Sequence, residues 1–308
     1  MTQWHNDRHH LASAPVVVGI DGSPGAATAL DWAADLAARR GRELRVVHAE
    51  DSAGRRLLHD RYGTRMPELA GHLRVRRSSL VDNAVQRVRD RHPQVRVSVG
   101  VADANPAGLL IRDSATAYRV VIGPSGTSAL PGHLGSILLT VAAHAEGAVV
   151  VVRTDPDSGH MVREHGPVVV GIDGSRVSEG ALAAAFEEAA ERAVELVAVH
   201  AWSDLDLGWM AGEFDLLVPV SDVGETEREI LAERLAGWKE QYPDVKVVRR
   251  KYLADPVAAL REWSKSAQLL VVGSRGRGGY LGMLLGSTSN ALVQHAQCPV
   301  MVVHPEPE

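Results

Sequence analysis

The chain has 308 residues, 45% of them apolar and 23% charged, with a formal net charge of −5. That length argues for two domains, and the apolar share can fill a core in each. The charge excludes a global basic field for nucleic acid, the single cysteine excludes an internal disulfide or a thiolate cluster, and the strand-length apolar runs exclude a bilayer span.

Residues 1–13 form a polar tail without a charged-then-apolar leader pattern, so the cytoplasm is the expected address. Val16-Val17-Val18-Gly19-Ile20-Asp21-Gly22-Ser23 then opens a first repeat, expected over 14–153. Val46-Val47-His48 reads as its second strand, and seven arginines between Arg74 and Arg96 read as a solvated helix face with its flanking loops. Val120-Val121-Ile122-Gly123, Gly135-Ser136 and Val149 to Val152 complete it. A polar linker with Pro156, Gly159 and Gly166 is expected over 154–166. The opening motif returns 152 residues later as Val168 to Ser175, and the other motifs return in the same order after 150 to 152 residues. The chain is therefore written twice, with the second copy expected over 167–304.

Within that copy, strands are expected at Val168–Ile172, Leu196–His200, Val245–Tyr252, Leu269–Val272 and Pro299–Val303. Helices are expected at Ser178–Ala193, capped by Ser178, at Glu225–Tyr242, from Pro256 to about Ala267, and from about Thr288 to His295. Trp202 to Val220 reads as a surface loop, with a lid as the alternative. Alternating strands and helices give an α/β fold of two tandem open five-stranded parallel sheets with helices on both faces. Ligands of such sheets sit beyond the carboxyl ends of the strands, where strand order reverses.

The chemistry concentrates after the fourth strand of the second copy. Gly273 to Gly286 holds six glycines in fourteen residues, so main-chain N–H groups can approach a ligand closely. Gly286-Ser287-Thr288-Ser289 then opens a helix whose free N–H groups favour a phosphate, and Arg275 and Arg277 add charge-assisted donors. The plain alternative is a glycine-rich surface loop with two solvated arginines. His48 and His200 read as packing or loop-bonded histidines, and Cys298 as a small core residue.

Gly273-x2-Gly276-x9-Gly286-Ser287, the Val-Val-Gly-Ile-Asp-Gly-Ser openings and Cys298-Pro299-Val300-Met301-Val302-Val303 together resemble the universal stress protein family in its ATP-binding branch. The likeness spans nearly all of Val16 to Val303 as two copies, and is greatest to tandem-domain members of the actinobacterial type, with an adenine-nucleotide α-hydrolase-like fold. The resemblance implies an adenine pocket of Gly171, Ile172, Asp173, Ala198 and Val199. It implies a ribose and phosphate lining of Val272, Gly273, Arg275, Gly276, Arg277, Gly286, Ser287, Thr288 and Ser289, with Asp173 near the ribose or a nucleotide-bound Mg²⁺. A turn residue bonding its own loop is the alternative for Asp173. The resemblance also implies pairing of the fifth strands and a homodimer of tandem chains.

The first copy keeps Gly19, Ile20, Asp21, Gly123, Gly126, Gly135 and Ser136 but departs elsewhere. Its loop is one residue shorter, Pro124 removes a donor, Ser125 and Thr127 replace the arginines, and Ile137 and Leu138 replace two hydroxyl residues. Its site is expected to be weaker. No Walker lysine loop and no kinase signature is present. The expected role is that of an ATP-binding stress-response regulator with an unidentified regulatory protein partner. Slow ATP hydrolysis and a scaffold with vestigial pockets are the alternatives, as are AMP or a cyclic nucleotide in place of ATP.

Overall fold

The computed structural model describes residues 13–50, 66–124, 136–159, 161–202, 218–219, 235, 237–276 and 285–305. The chain divides into two units, Met1–Val152 and Arg153–Glu308.

The first unit runs β1 (Val16–Gly19), α1 (Pro24–Arg40), β2 (Leu44–Ala49), α2 (Met66–Arg91), β3 (Val97–Ala102), α3 (Pro106–Ser114), β4 (Arg119–Ile122), α4 (Ser136–His144) and β5 (Ala148–Val151). Its strands are all parallel, in the order β3-β2-β1-β4-β5. Val16, Val18 and all of β5 are fully or almost fully buried, as the continuous β-branched runs require of a sheet covered on both faces. Each such valine contributes roughly 1.5–3 kcal/mol on burial. Helix α1 starts where Ser23 accepts from the Ala26 N–H at 3.1 Å with Pro24 behind it, and it stops at Gly41, in left-handed conformation.

The second unit repeats the plan with β6 (Val168–Gly171), α5 (Arg176–Arg192), β7 (Leu196–Trp202), β8 (Val218–Pro219), β9 (Val247–Leu253), α6 (Pro256–Ser264), β10 (Leu269–Gly273), α7 (Ser287–His295) and β11 (Val300–Val303). The parallel order is β11-β10-β6-β7-β9, so the strand order reverses between β6 and β10. Residues 154–166 carry a short 3-10 turn at Pro156–Ser158 and a bridge between Asp155 and Met161.

Two expectations are corrected here, and a third lies partly outside the described residues. Helix α5 begins at Arg176 rather than Ser178, because the turn at Gly174 (φ 81°) puts Ser175 in the cap position, where its hydroxyl accepts from the Ser178 N–H. Ser178 instead lies in the first turn, buried, its hydroxyl donating to the Ser175 carbonyl at 2.7 Å. The second sheet is not purely five-stranded: β8, inside the stretch read as a loop, adds a two-residue antiparallel strand against β9. Of the expected Glu225–Tyr242 helix, 235 and 237–241 are described as helical. Leu235 is buried, and the rings of Trp238 and Tyr242 stack on Phe186 at 6.3 and 5.8 Å.

Candidate nucleotide site at the ends of β6, β7 and β10

Parallel pairing brings the carboxyl ends of β6, β7 and β10 side by side, and a cavity of about 300 Å³ opens beyond them. One wall is apolar. Val199 and Ala201 project into it from β7, and Pro256 and Leu260 close it from α6. Ala198, expected here, is fully buried and does not line the cavity. Side chains alternate along a strand, so Val199 and Ala201 share the cavity face and Ala198 takes the other. Leu260 is held close because Gly171 has no side chain: a Cβ there would stand 2.9 Å from Leu260 Cδ1. The first unit repeats this contact, with a Cβ at Gly19 standing 3.2 Å from Leu110.

The floor is the loop after β6. Ile172 donates its N–H to the Val199 carbonyl at 2.9 Å, and its own carbonyl accepts from His200 Nδ1 at 2.7 Å. Asp173 Oδ1 accepts from the Ser175 N–H at 2.9 Å, so one carboxylate oxygen fixes the turn. Asp173 Oδ2 faces Gly276 so closely that a Cβ on Gly276 would lie 2.5 Å from it. Asp173 ties its own loop, as the turn reading has it, and it also lines the cavity. The first unit copies the floor, with His48 Nδ1 donating to the Ile20 carbonyl at 2.8 Å and Asp21 accepting from the Ser23 N–H at 2.9 Å.

The far wall comes from Val272, Gly273, Arg275, Gly276, Gly286, Ser287, Thr288 and Ser289. Both ends of the glycine-rich loop are pinned. Ser274 donates its N–H to Val303 at 2.7 Å, Gly286 donates to the Ser274 carbonyl at 2.7 Å, and the Ser289 hydroxyl donates to the Gly273 carbonyl at 2.5 Å. Arg275 is exposed at the rim, and Arg277 lies outside the described residues. Helices α1, α3, α5 and α6 each start on a side-chain cap, from Ser23, Asn105, Ser175 and Asp255. Helix α7 starts at Gly286 with no side-chain cap, and its first turn faces the cavity. Its opening N–H groups and positive dipole end are therefore presented to whatever occupies that space.

In the first unit Gly123 packs on α1, where a Cβ would meet the Gly25 carbonyl carbon at 2.5 Å. Ser136 starts α4 at the surface, Ile137 is 38% exposed and Leu138 is buried. Gly126 and Gly135 lie outside the described residues. Reasoning from sequence missed Ser178, Ala201, Pro256 and Leu260, which carry no chemical signature of their own. The repeat held a signal for two of them: Asn105-Pro106 with Leu110 matches Asp255-Pro256 with Leu260 at the same spacing.

The universal stress protein family matches the chain over residues 14–153 and again over 165–304. Two universal stress proteins of Mycobacterium tuberculosis are 41% and 39% identical to it, over 93% and 94% of this chain and 96% of each relative. Among solved structures, a universal stress protein from Archaeoglobus fulgidus superposes with a TM-score of 0.61 at 20% identity, covering 94% of this chain and 98% of that one, a likeness of fold.

Proposed function

Because the chain belongs to the universal stress protein family, with one family domain in each half, we propose that its second domain binds an adenine nucleotide, ATP foremost, and that occupancy of this site regulates what the protein contacts. One observation carries the reading: the uncapped start of α7 opens into the cavity at the strand-order reversal, with Arg275 on the rim. A cavity of about 300 Å³ is at the lower end of the range for small-molecule sites. Its apolar wall of Val199, Ala201 and Leu260 suits a base, and its amide-rich wall suits phosphates. Asp173 is the one carboxylate among the lining residues. Among the described residues no cluster of His, Cys, Asp or Glu could hold a metal ion unaided, so Mg²⁺ would come with the phosphates and meet Asp173.

The first domain keeps the apolar and turn elements but has Leu138 buried where Ser289 ties the loop, so its site is the weaker of the two. The chain assembles as a homodimer and acts through a regulatory protein partner. The test is calorimetric titration of the full chain with ATP, AMP and cyclic AMP, beside a phosphate-release assay. Binding of ATP without sustained release supports a regulator. Failure of every nucleotide to bind or to raise the melting temperature at millimolar concentration overturns the reading, and steady release converts it into an ATP hydrolase.

A further inference from the structure

Arg153 is the first residue beyond the first unit and follows Val152 directly. Its half-buried guanidinium reaches the far end of α7, donating to the Ala296 carbonyl at 2.7 Å and the Val293 carbonyl at 3.3 Å. Both carbonyls belong to the last turn, which a helix cannot satisfy internally. The residues after Arg153 are tied to one another and to β10. The buried Asp155 carboxylate pairs with Arg163, and the Asp155 N–H donates to the Met161 carbonyl at 3.0 Å. Gln268, just before β10, donates through Nε2 to the Gly166 carbonyl at 2.6 Å. The described part of 153–166, a linker by composition, is thus a strap on the second unit, and Arg153 is its grip on α7. Ser264 also holds that helix end, accepting from the Gln297 N–H at 3.1 Å. Ser114 bonds the Glu146 N–H in the same way at 2.8 Å in the first unit, so the serine contact comes with the shared plan.

We propose that Arg153 is a positioning residue for phosphate binding in the second domain, acting through α7. This deepens the adenine-nucleotide reading above and rests on it. Helix α7 has nine residues, too few to hold a helical conformation unaided. Its two ends stand about 13 Å apart. The end without a side-chain cap faces the cavity, so anchoring the other end fixes where those opening N–H groups point. A guanidinium on the last carbonyls also neutralises the negative pole of the helix and leaves the positive pole less opposed. Arginine keeps that charge at any working pH. The apolar wall of Val199, Ala201 and Leu260 lies on β7 and α6, which Arg153 does not bond. Loss of Arg153 should therefore be felt by phosphates and not by a nucleoside.

Calorimetric titration of the full chain with ATP, beside displacement of ATP by adenosine at up to millimolar concentration, tests this. In Arg153→Gln the ATP dissociation constant of the second domain's site should rise about three- to tenfold, while the adenosine inhibition constant stays within about twofold of the native value. Failure of the native chain to bind ATP overturns the nucleotide reading itself. Unchanged ATP affinity in Arg153→Gln overturns only the role of Arg153. Equal losses for ATP and adenosine overturn it too, because a residue that merely stabilises the domain does not tell a phosphate from a base. Should Arg153→Gln not fold, Arg153→Lys, which keeps the charge without the planar fork, must show the same one-sided loss at a smaller size, and no loss there overturns the proposal.

Discussion

Gly276 and Asp173 show how narrowly the candidate site is specified at the residue scale. Asp173 Oδ2 occupies the space that a Cβ on Gly276 would enter, at 2.5 Å. Gly276→Ala must push either the carboxylate or the loop away, so ATP affinity should fall about tenfold or more while the melting temperature barely moves; calorimetry beside a thermal melt checks both. Ala193 offers the opposite case. It ends α5 at φ 51°, where the first repeat has Gly41 at φ 59°. A left-handed residue with a Cβ costs roughly 1–2 kcal/mol, part of which the greater freedom of unfolded glycine cancels. Ala193→Gly should therefore stabilise the second domain by up to about 1 kcal/mol in denaturant unfolding. Cys298 is fully buried, and burial pushes its thiol up to about 12 despite the nearby guanidinium groups of Arg163 and Arg153. A folded-state value raised in this way gives stability that is complete below the ordinary thiol range and is lost as pH climbs through it. The native protein should ignore Ellman's reagent at pH 8 and lose stability relative to a Cys298→Ala variant as pH rises above about 9.

At the scale of elements, helices are joined by charge where the sheet does not join them. Helix α2 lies beside α1 through two bidentate pairs, Arg87 on Asp31 and Arg91 on Asp35, and His92 adds a bond to Asp35 at 2.6 Å. Four residues of the arginine-rich stretch read as a solvated face thus build a helix–helix seam or bond a neighbouring strand end: Arg87, Arg91 and His92, with Arg77 on Asp103. Burial raises the Asp35 carboxyl, but hydrogen bonds and charge from Arg91 and His92 outweigh it and hold the group below its usual value. A depressed carboxylate contributes stability above its unfolded value and loses it as pH falls through the folded one. The stability gap between the native chain and Asp35→Asn should therefore close below about pH 4, read from urea midpoints across an acid series. In the second unit Arg153 does comparable work for α7. Its guanidinium donates to the Ala296 carbonyl at 2.7 Å and the Val293 carbonyl at 3.3 Å, satisfying the negative end of the helix whose positive end faces the cavity.

Across the whole molecule, what the sequence made legible was what repeats. Five strand positions of the second copy and their parallel arrangement follow from motifs written twice, and the placing of Gly171, Asp173, Gly273 and Gly286 around one crevice follows once β6 and β10 are neighbours. What escaped was local or tertiary. A strand-end motif does not say which face is lined, so it marks Ala198 where the cavity takes Ala201, and β8 escapes because two residues carry no periodicity. Duplication also permits divergence, since one copy can keep the ligand while the other is released from that demand. The turn at Asp21 and the Leu110 contact on Gly19 keep the first domain's apolar end, whereas Ile137 and Leu138 remove the hydroxyls at its helix start. Titration of the full chain with ATP should therefore need two unequal sites. A charge-assisted contact is worth roughly 1.5–3 kcal/mol, so Arg275→Ala should weaken the tighter site by about tenfold or more and leave the weaker one alone. Ser125→Ala, at the matching place in the first repeat, removes no charge and should change neither. Should both variants weaken binding equally, the ranking of the two domains is wrong, because an uncharged side chain would then be supplying as much grip on the phosphates as a guanidinium.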